Sequence, residues 1–204
     1  MMTVSPPQSV FVGVSGASGA PYAARLLQAL SAADCAIQLS VSDSGILVLE
    51  HELELSVAGR DAVTAAFLER TGATAEVFVP DDLGALPASG SSAPDAVVIC
   101  PCSMSTAANI ALGTTRTLMH RAADVALKEG RPLVVVPRET PLTQIHLRRL
   151  LELAEAGAVV LPAMPGFYSR PQTLQDAVDH IAGKVMGALG FEQKLFPPWN
   201  GGRR

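Results

Sequence analysis

At 204 residues the chain fits one domain, and a domain of that length buries roughly 70% of its unfolded surface without needing a disulfide or metal staple. The 15 Lys+Arg against 19 Asp+Glu give a formal net charge of −4, and with aromatics at 4% the chain has neither a basic stripe nor a stacking surface for nucleic acid. Three cysteines, Cys35, Cys100 and Cys102, match no disulfide framework and no metal-ligand spacing, and no run approaches the roughly eighteen apolar residues needed to cross a bilayer.

No secretory leader is recognisable, so the expectation is a soluble cytoplasmic protein with no structural metal and no membrane partner. An apolar fraction of 49% exceeds what a lone domain needs, which predicts that other subunits cover part of the surface. Residues 1–8 are polar, carry Pro6 and Pro7, and read as a loose leader. Short apolar runs then predict strands over 10–14, 36–41, 75–79, 96–100, 133–136 and 158–161. Helical patterns fill the gaps at 20–33, 44–53, 61–71, 103–112, 118–129, 143–156 and 173–189, several preceded by Ser, Thr or Asp as caps. Alternating strand and helix predict a three-layer α/β/α doubly wound parallel sheet, Rossmann- or flavodoxin-like, as one domain over 9–190. The segment 80–94 is too short to be a linker and reads as a functional loop. Residues 191–204, with Phe196, Pro197, Pro198 and Trp199, read as an extended tail that must dock on the domain or on a neighbouring subunit.

The stretch 10–22, VFVGVSGASGAPY, runs a strand directly into a helix through Ser15, Gly16, Ala17, Ser18 and Gly19. Small residues let backbone amides approach a ligand and the helix N-terminus adds partial positive charge, so this turn suits an anion; Ser18 can cap the helix, donate to an oxyanion, or do both. The glycines at 13, 16 and 19 do not make the dinucleotide spacing G-x-G-x-x-G, and Ser40-Val41-Ser42 stands where an acidic residue would close the second strand.

Ligands of open α/β sheets sit beyond the carboxyl ends of the strands, and here those positions are unusually polar. Ser42 follows the second strand, Ser103, Met104, Ser105 and Thr106 the fourth, and Arg138 and Glu139 the fifth, so hydroxyls, a cation and a carboxylate are expected on one rim. Ser103, Ser105 and Thr106 open a helix and can hold a phosphate or a polar ring edge, or serve only as caps. Ser89 and Gly90 lie in a small-residue segment that is either a mobile flap, an anion nest or a plain surface loop. Arg121, Lys128, Arg138 and Lys184 are cations for an anionic substrate or solvated helix faces, with Arg138 favoured by its position directly after a strand. Tyr168 can reach an anion or pack at an interface. By spacing alone, Glu52 belongs to a solvated charged patch. The four histidines show no metal spacing.

The segments GVSGASGAPYAARLL, ASGSSAP, CPCSMST, RAADVALKEGRPLVVVPRETP and GAVVLPAMPGFYSRPQ, in this order over nearly the whole chain, resemble the UbiX/Pad1 family of flavin prenyltransferases. The wider superfamily includes flavin-dependent cysteine decarboxylases with a P-x-M-N segment; this chain has Pro162-Ala163-Met164-Pro165, which counts against that alternative. A nonenzymatic flavin-binding subunit is the third reading. The resemblance implies a homo-oligomer, a dodecamer, that binds reduced FMN as substrate and dimethylallyl monophosphate at a subunit interface. It joins the dimethylallyl group to N5 and C6 of the flavin without a metal, and the prenylated FMN passes to a UbiD-type decarboxylase.

Carried over, the FMN contacts are Gly16, Ala17, Ser18, Ser42, Ser103, Met104, Ser105, Thr106 and Arg138. The prenyl-phosphate contacts are Ser89, Gly90, Arg121, Lys128, Arg138, Tyr168 and Lys184, with Trp199 closing the site. Lys184 stands where the family often has Arg, keeping the charge but losing the bidentate fork. Ser18, Glu52, Glu139, Lys128 and Tyr168 are the implied catalytic set.

Overall fold

The computed structural model describes residues 5–199 and residue 201. Six parallel strands, β1 (Ser9–Val14), β2 (Ala36–Val41), β3 (Glu76–Val77), β4 (Ala96–Cys102), β5 (Leu133–Pro137) and β6 (Val159–Val160), form one sheet in the order 3-2-1-4-5-6. That is the doubly wound order, whose topological switch point lies between β1 and β4. The helices are α1 (Ala20–Ala32), α2 (Asp43–Glu52), α3 (Arg60–Thr71), α4 (Met104–Ala111), α5 (Leu118–Lys128), α6 (Gln144–Glu155) and α7 (Leu174–Ala188).

The period of two along the central strands builds both layers. Val10, Val12 and Val14 of β1, with Ala96, Val98 and Cys100 of β4, point into one core with α1, α2, α3 and α7. Phe11, Val97, Ile99, Leu133 and Val135 point the other way, against α4, α5 and α6. Each fully buried Leu or Val contributes ~1.5–3 kcal/mol, so strands apolar on both sides are locked into one register. Gly13 lets this second face pack closely, since a Cβ there would stand 2.8 Å from Ile99 Cδ1 and 3.1 Å from Met119 Cβ.

The expected strands and helices all form, with helix ends within one residue. The expected strands 75–79 and 158–161 shorten to two paired residues each because they are the sheet edges, continued by Phe78 N–H to Leu39 O (2.8 Å) and by Leu161 N–H to Val135 O (2.8 Å) and Ala163 N–H to Pro137 O (3.0 Å). Two 3₁₀ turns, Leu86–Ala88 and Phe167–Ser169, interrupt segments read as loops.

Of the expected leader, residues 1–4 lie outside the described residues. Gln8 is already tied down, its N–H donating to Asp95 (3.0 Å) and its carbonyl accepting from Ala36 (2.9 Å). The tail docks as far as it is described: Phe191 and Leu195 pack on the α1/α7 core, and the Phe196 ring lies so close to Gly183 of α7 that a Cβ there would be 2.7 Å away. Residues 200 and 202–204 lie outside the described set. No helix among the described residues is long and apolar enough to cross a membrane.

Candidate active site

At the switch point, the loop after β1 is bolted to the end of β4. Ser15, 1% exposed, donates through its hydroxyl to Pro101 O (3.0 Å) and accepts there from Ser103 N–H (2.7 Å). Arg138 ties in the third strand end: its N–H reaches Cys102 O (3.2 Å) and its Nε donates to Ser18 O (2.9 Å). Ser42 N–H donates to Val14 O (3.0 Å), and the Ser42 hydroxyl caps α2 by accepting from Gly45 N–H (3.0 Å). Gly16 packs against Ser44, whose Oγ would be 2.2 Å from any Cβ, so only glycine lets the β1 loop and the start of α2 approach this closely. Ala17 is buried beside it, its N–H turned back to Ser15 O (2.9 Å).

Two expectations at this turn are corrected. Ser18 does not cap α1; the cap position is Gly19, at φ 136°, a conformation that L side chains rarely adopt. The cap comes from Glu52, at the end of α2, one of whose carboxylate oxygens accepts from both Gly19 and Ala20 N–H at 2.8 Å. Glu52 is therefore no member of a solvated patch. The anion held by the first turn is the protein's own, because a carboxylate at a helix N-terminus satisfies amides that nothing within α1 can. Burial alone would raise the Glu52 pKa, but bonds from the Ser18 hydroxyl and the Gly19 and Ala20 amides, with the Arg138 charge, outweigh it and hold it below the ordinary value.

The second strand-to-helix turn stays open to a ligand. Ser103 caps α4, its Oγ accepting from Thr106 N–H (3.1 Å) and donating to Thr106 Oγ1 (3.0 Å). No protein acceptor among the described residues meets the N–H groups of Met104 and Ser105, and none meets the terminal nitrogens of Arg138. The Met104 side chain is buried in the core, so what it presents at the rim is backbone. Glu139 is exposed beside Arg138, its carboxylate accepting from Thr140 N–H (3.0 Å). Serine hydroxyls, a guanidinium, free helix-start amides and two carboxylates thus share one crevice, the setting a phosphorylated flavin requires.

Of the expected substrate contacts only Arg138 is bonded into this rim. Because α5 runs antiparallel to the strands, Lys128 at its end lies at the amino edge of the sheet, a strand length of roughly 15 Å or more from Arg138. Ser89 and Gly90 are there too: a Cβ on Gly90 would meet Lys128 Nζ at 2.9 Å, and Lys128 pairs with Glu129. The segment is no free flap. Arg121 Nε donates to Ala88 O (3.1 Å) while its Nη1 pairs with Asp124 (2.7 Å), and Arg131 donates to the carbonyls of Ala93, Pro94 (2.6 Å) and Gly90 (3.3 Å). A third group gathers where α7 meets the tail: Tyr168 is 43% exposed with Trp199 edge-on at 6.0 Å, and Lys184 Nζ stands 5.8 Å from the Phe196 ring centroid.

Sequence reasoning passed over Ser44, Arg131 and His180, which carry no motif; Ser15 stood in the glycine turn with no assigned role. Cys100 and Cys102 are fully enclosed, and burial pushes the Cys100 thiol up to about 12 and raises Cys102 further, so neither is a nucleophile.

The Flavoprotein family matches residues 3–186. The flavin prenyltransferase UbiX of Pseudomonas aeruginosa is 44% identical over 200 residues, 96% of each chain. The crystal structure of AnUbiX (PadA1) in complex with FMN and dimethylallyl pyrophosphate superposes with a TM-score of 0.86 at 34% identity, covering 97% of this chain and 100% of that one. A dodecameric FMN-dependent UbiX-like decarboxylase from Escherichia coli O157:H7 gives 0.83 at 39% identity, covering 94% and 99%. With the crevice, the fold and nearly full-length identity in agreement, the chain belongs to the UbiX family of flavin prenyltransferases within the Flavoprotein family.

Proposed function

We propose that this cytoplasmic protein transfers a dimethylallyl group from dimethylallyl monophosphate to N5 and C6 of reduced FMN, and that its product serves a UbiD-type decarboxylase. The observation that carries the reading is the meeting of the β1 and β4 ends, where α4 amides with no acceptor among the described residues stand beside the Arg138 guanidinium. Its residues fit FMN: Met104 and Ser105 N–H, the Ser103 and Thr106 hydroxyls and Arg138 would hold the phosphate and ribityl chain, with Ser42 and the Gly16, Ala17 and Ser18 turn against the ring. The flavin supplies the nucleophilic nitrogen and carbon. As the prenyl C–O bond breaks, its electron pair would leave with phosphate while N5 takes the carbon and gives up its proton; ring closure would then add a proton to the prenyl C=C bond and release the one on C6, for a net gain of C5H8.

The chain's own part is to bind, screen and move protons. Ionised Glu52, bonded by the Ser18 hydroxyl, would keep that hydroxyl facing the ring, and exposed Glu139 would take the proton released at C6. Lys128, Ser89 and Gly90 lie at the opposite edge of the sheet, with Arg121 in the first turn of α5 reaching toward them through Ala88 O. They complete a site only when a neighbouring subunit presents them, as a homo-oligomer of the dodecameric kind would allow. Tyr168, Lys184 and the 191–204 tail with Trp199 would cover the prenyl chain and keep water from the developing cation.

Anaerobic incubation with reduced FMN and dimethylallyl monophosphate, and separately the pyrophosphate, followed by mass spectrometry of the released flavin, tests the reading. A flavin heavier by one C5H8 unit with release of phosphate is expected. Product from pyrophosphate alone would replace the donor, and unmodified FMN despite tight binding would leave a flavin-binding subunit. Carbon dioxide released from a peptidyl cysteine would instead favour the decarboxylase.

A further inference from the structure

His180 lies on α7, 5% exposed, and touches two other segments, the 166–168 turn and the tail. Its Nε2 is 3.0 Å from the Tyr168 hydroxyl, its Nδ1 accepts from Gly166 N–H at 3.5 Å, and its ring lies 4.6 Å from that of Phe196 in the tail. A glycine at 166 keeps the turn close enough for this, since a Cβ there would stand 2.8 Å from Tyr168 Cε1 and 3.4 Å from His180 Nε2. None of the roles expected for Ser18, Glu52, Glu139 or Lys128 involves this imidazole.

The long Gly166 contact, at 3.5 Å, favours one direction for the hydrogen bond to Tyr168. Nδ1 faces a backbone N–H and can only accept, which assigns the ring proton to Nε2 and makes Nε2–H the donor to the Tyr168 oxygen. The phenolic hydrogen is then free to point outward, and an oxygen that already accepts a bond is the better donor for it. A protonated ring would set Nδ1–H against Gly166 N–H. Burial first, and the nearby Lys184 charge second, lower the His180 pKa and oppose that state. A phenylalanine at 180 could pack against Phe196 but would leave the Tyr168 hydroxyl unaimed.

We propose that His180 is a positioning residue that orients the Tyr168 hydroxyl as a one-way donor to the phosphate of the prenyl substrate and pins the tail aromatic Phe196 beside it. This rests on the reading of Tyr168 as a phosphate contact. His180→Phe is expected to raise KM for dimethylallyl monophosphate about tenfold with kcat changed less and FMN affinity by fluorescence quenching unchanged. His180→Gln, whose amide nitrogen can replace the Nε2 donor, is expected to restore most of the loss, and His180→Phe is expected to add nothing on a Tyr168→Phe background. An unchanged KM in His180→Phe, an equal loss in the Tyr168→Phe background, or a parallel loss of FMN affinity would each overturn the proposal. Nitrogen-15 NMR of the wild type reads the ring without turnover: the Nε2–H tautomer is expected at neutral pH, and the Nδ1–H tautomer or an imidazolium would contradict it. Wild-type enzyme that shows the expected tautomer yet makes no prenylated flavin would instead remove the prenyltransferase reading.

Discussion

The two ends of the sheet are held by the same means, side chains gripping distant backbone, and differ in what is left free. At the carboxyl edge, side chains from distant elements seize backbone: Glu52 takes the first amides of α1, Ser15 bridges the ends of β1 and β4, and Arg138 reaches the Ser18 carbonyl. What remains free there, the α4 amides and the Arg138 fork, faces inward on a crevice. At the amino edge Arg121 and Arg131 grip the carbonyls of the segment 88–94, which leaves Ser89 and Lys128 outward on the surface. One edge is a finished platform within a single chain. The other presents Ser89 and Lys128 to the surface, where an anion or a second subunit can reach them.

The sharpest way to break this contrast is at Gly16. Gly16→Ala drives a Cβ into Ser44, and because the loop is bolted on both sides it cannot yield, so FMN affinity is expected to fall about a hundredfold, ~2.7 kcal/mol by titration. Affinity within a few-fold of wild type would show that the rim is softer than its bonds imply.

Glu139 separates binding from chemistry at the same edge. Glu139→Ala is expected to retain FMN and to slow product formation at least about tenfold, ~1.4 kcal/mol of barrier. Wild-type turnover would remove it from proton transfer.

The smallest effect concerns Glu52. Its pKa is depressed in the folded chain, so its stabilising contribution is fully present above the ordinary value of 4.5 and is lost as pH falls through the lower folded value. Thermal unfolding of wild type and Glu52→Gln should differ by ~1 kcal/mol near neutral pH and converge in acid below 4.5. A gap that stayed constant through that range would deny the carboxylate its role as cap.

Much of the fold was legible because the β1, β4 and β5 runs are apolar on both faces and Ser103 stands where a cap belongs, as the structure has it. The rim could be located because strand ends collect ligand groups whatever the chemistry. Glu52 was misread from spacing, since its partners Gly19 and Ala20 are more than thirty residues away and only folding supplies them. The Arg131 and His180 contacts are likewise long-range pairings with carbonyls, an amide and a phenol, which leave no trace in local pattern. The separation of Lys128 from Arg138 was implicit in the direction of α5, yet motif strings read in order conceal which end of the sheet each residue reaches.

Subunit mixing tests most directly whether one chain's amino edge serves another's carboxyl edge. Lys128→Ala and Arg138→Ala chains, each impaired alone, are dissociated, mixed in equal amounts and reassembled. With the two positions supplied by different subunits, about a quarter of the sites regain both groups and prenylated flavin is formed at a matching fraction of the wild-type rate. Activity no higher than the average of the two parents would mean that both residues act within one chain, contrary to the geometry described.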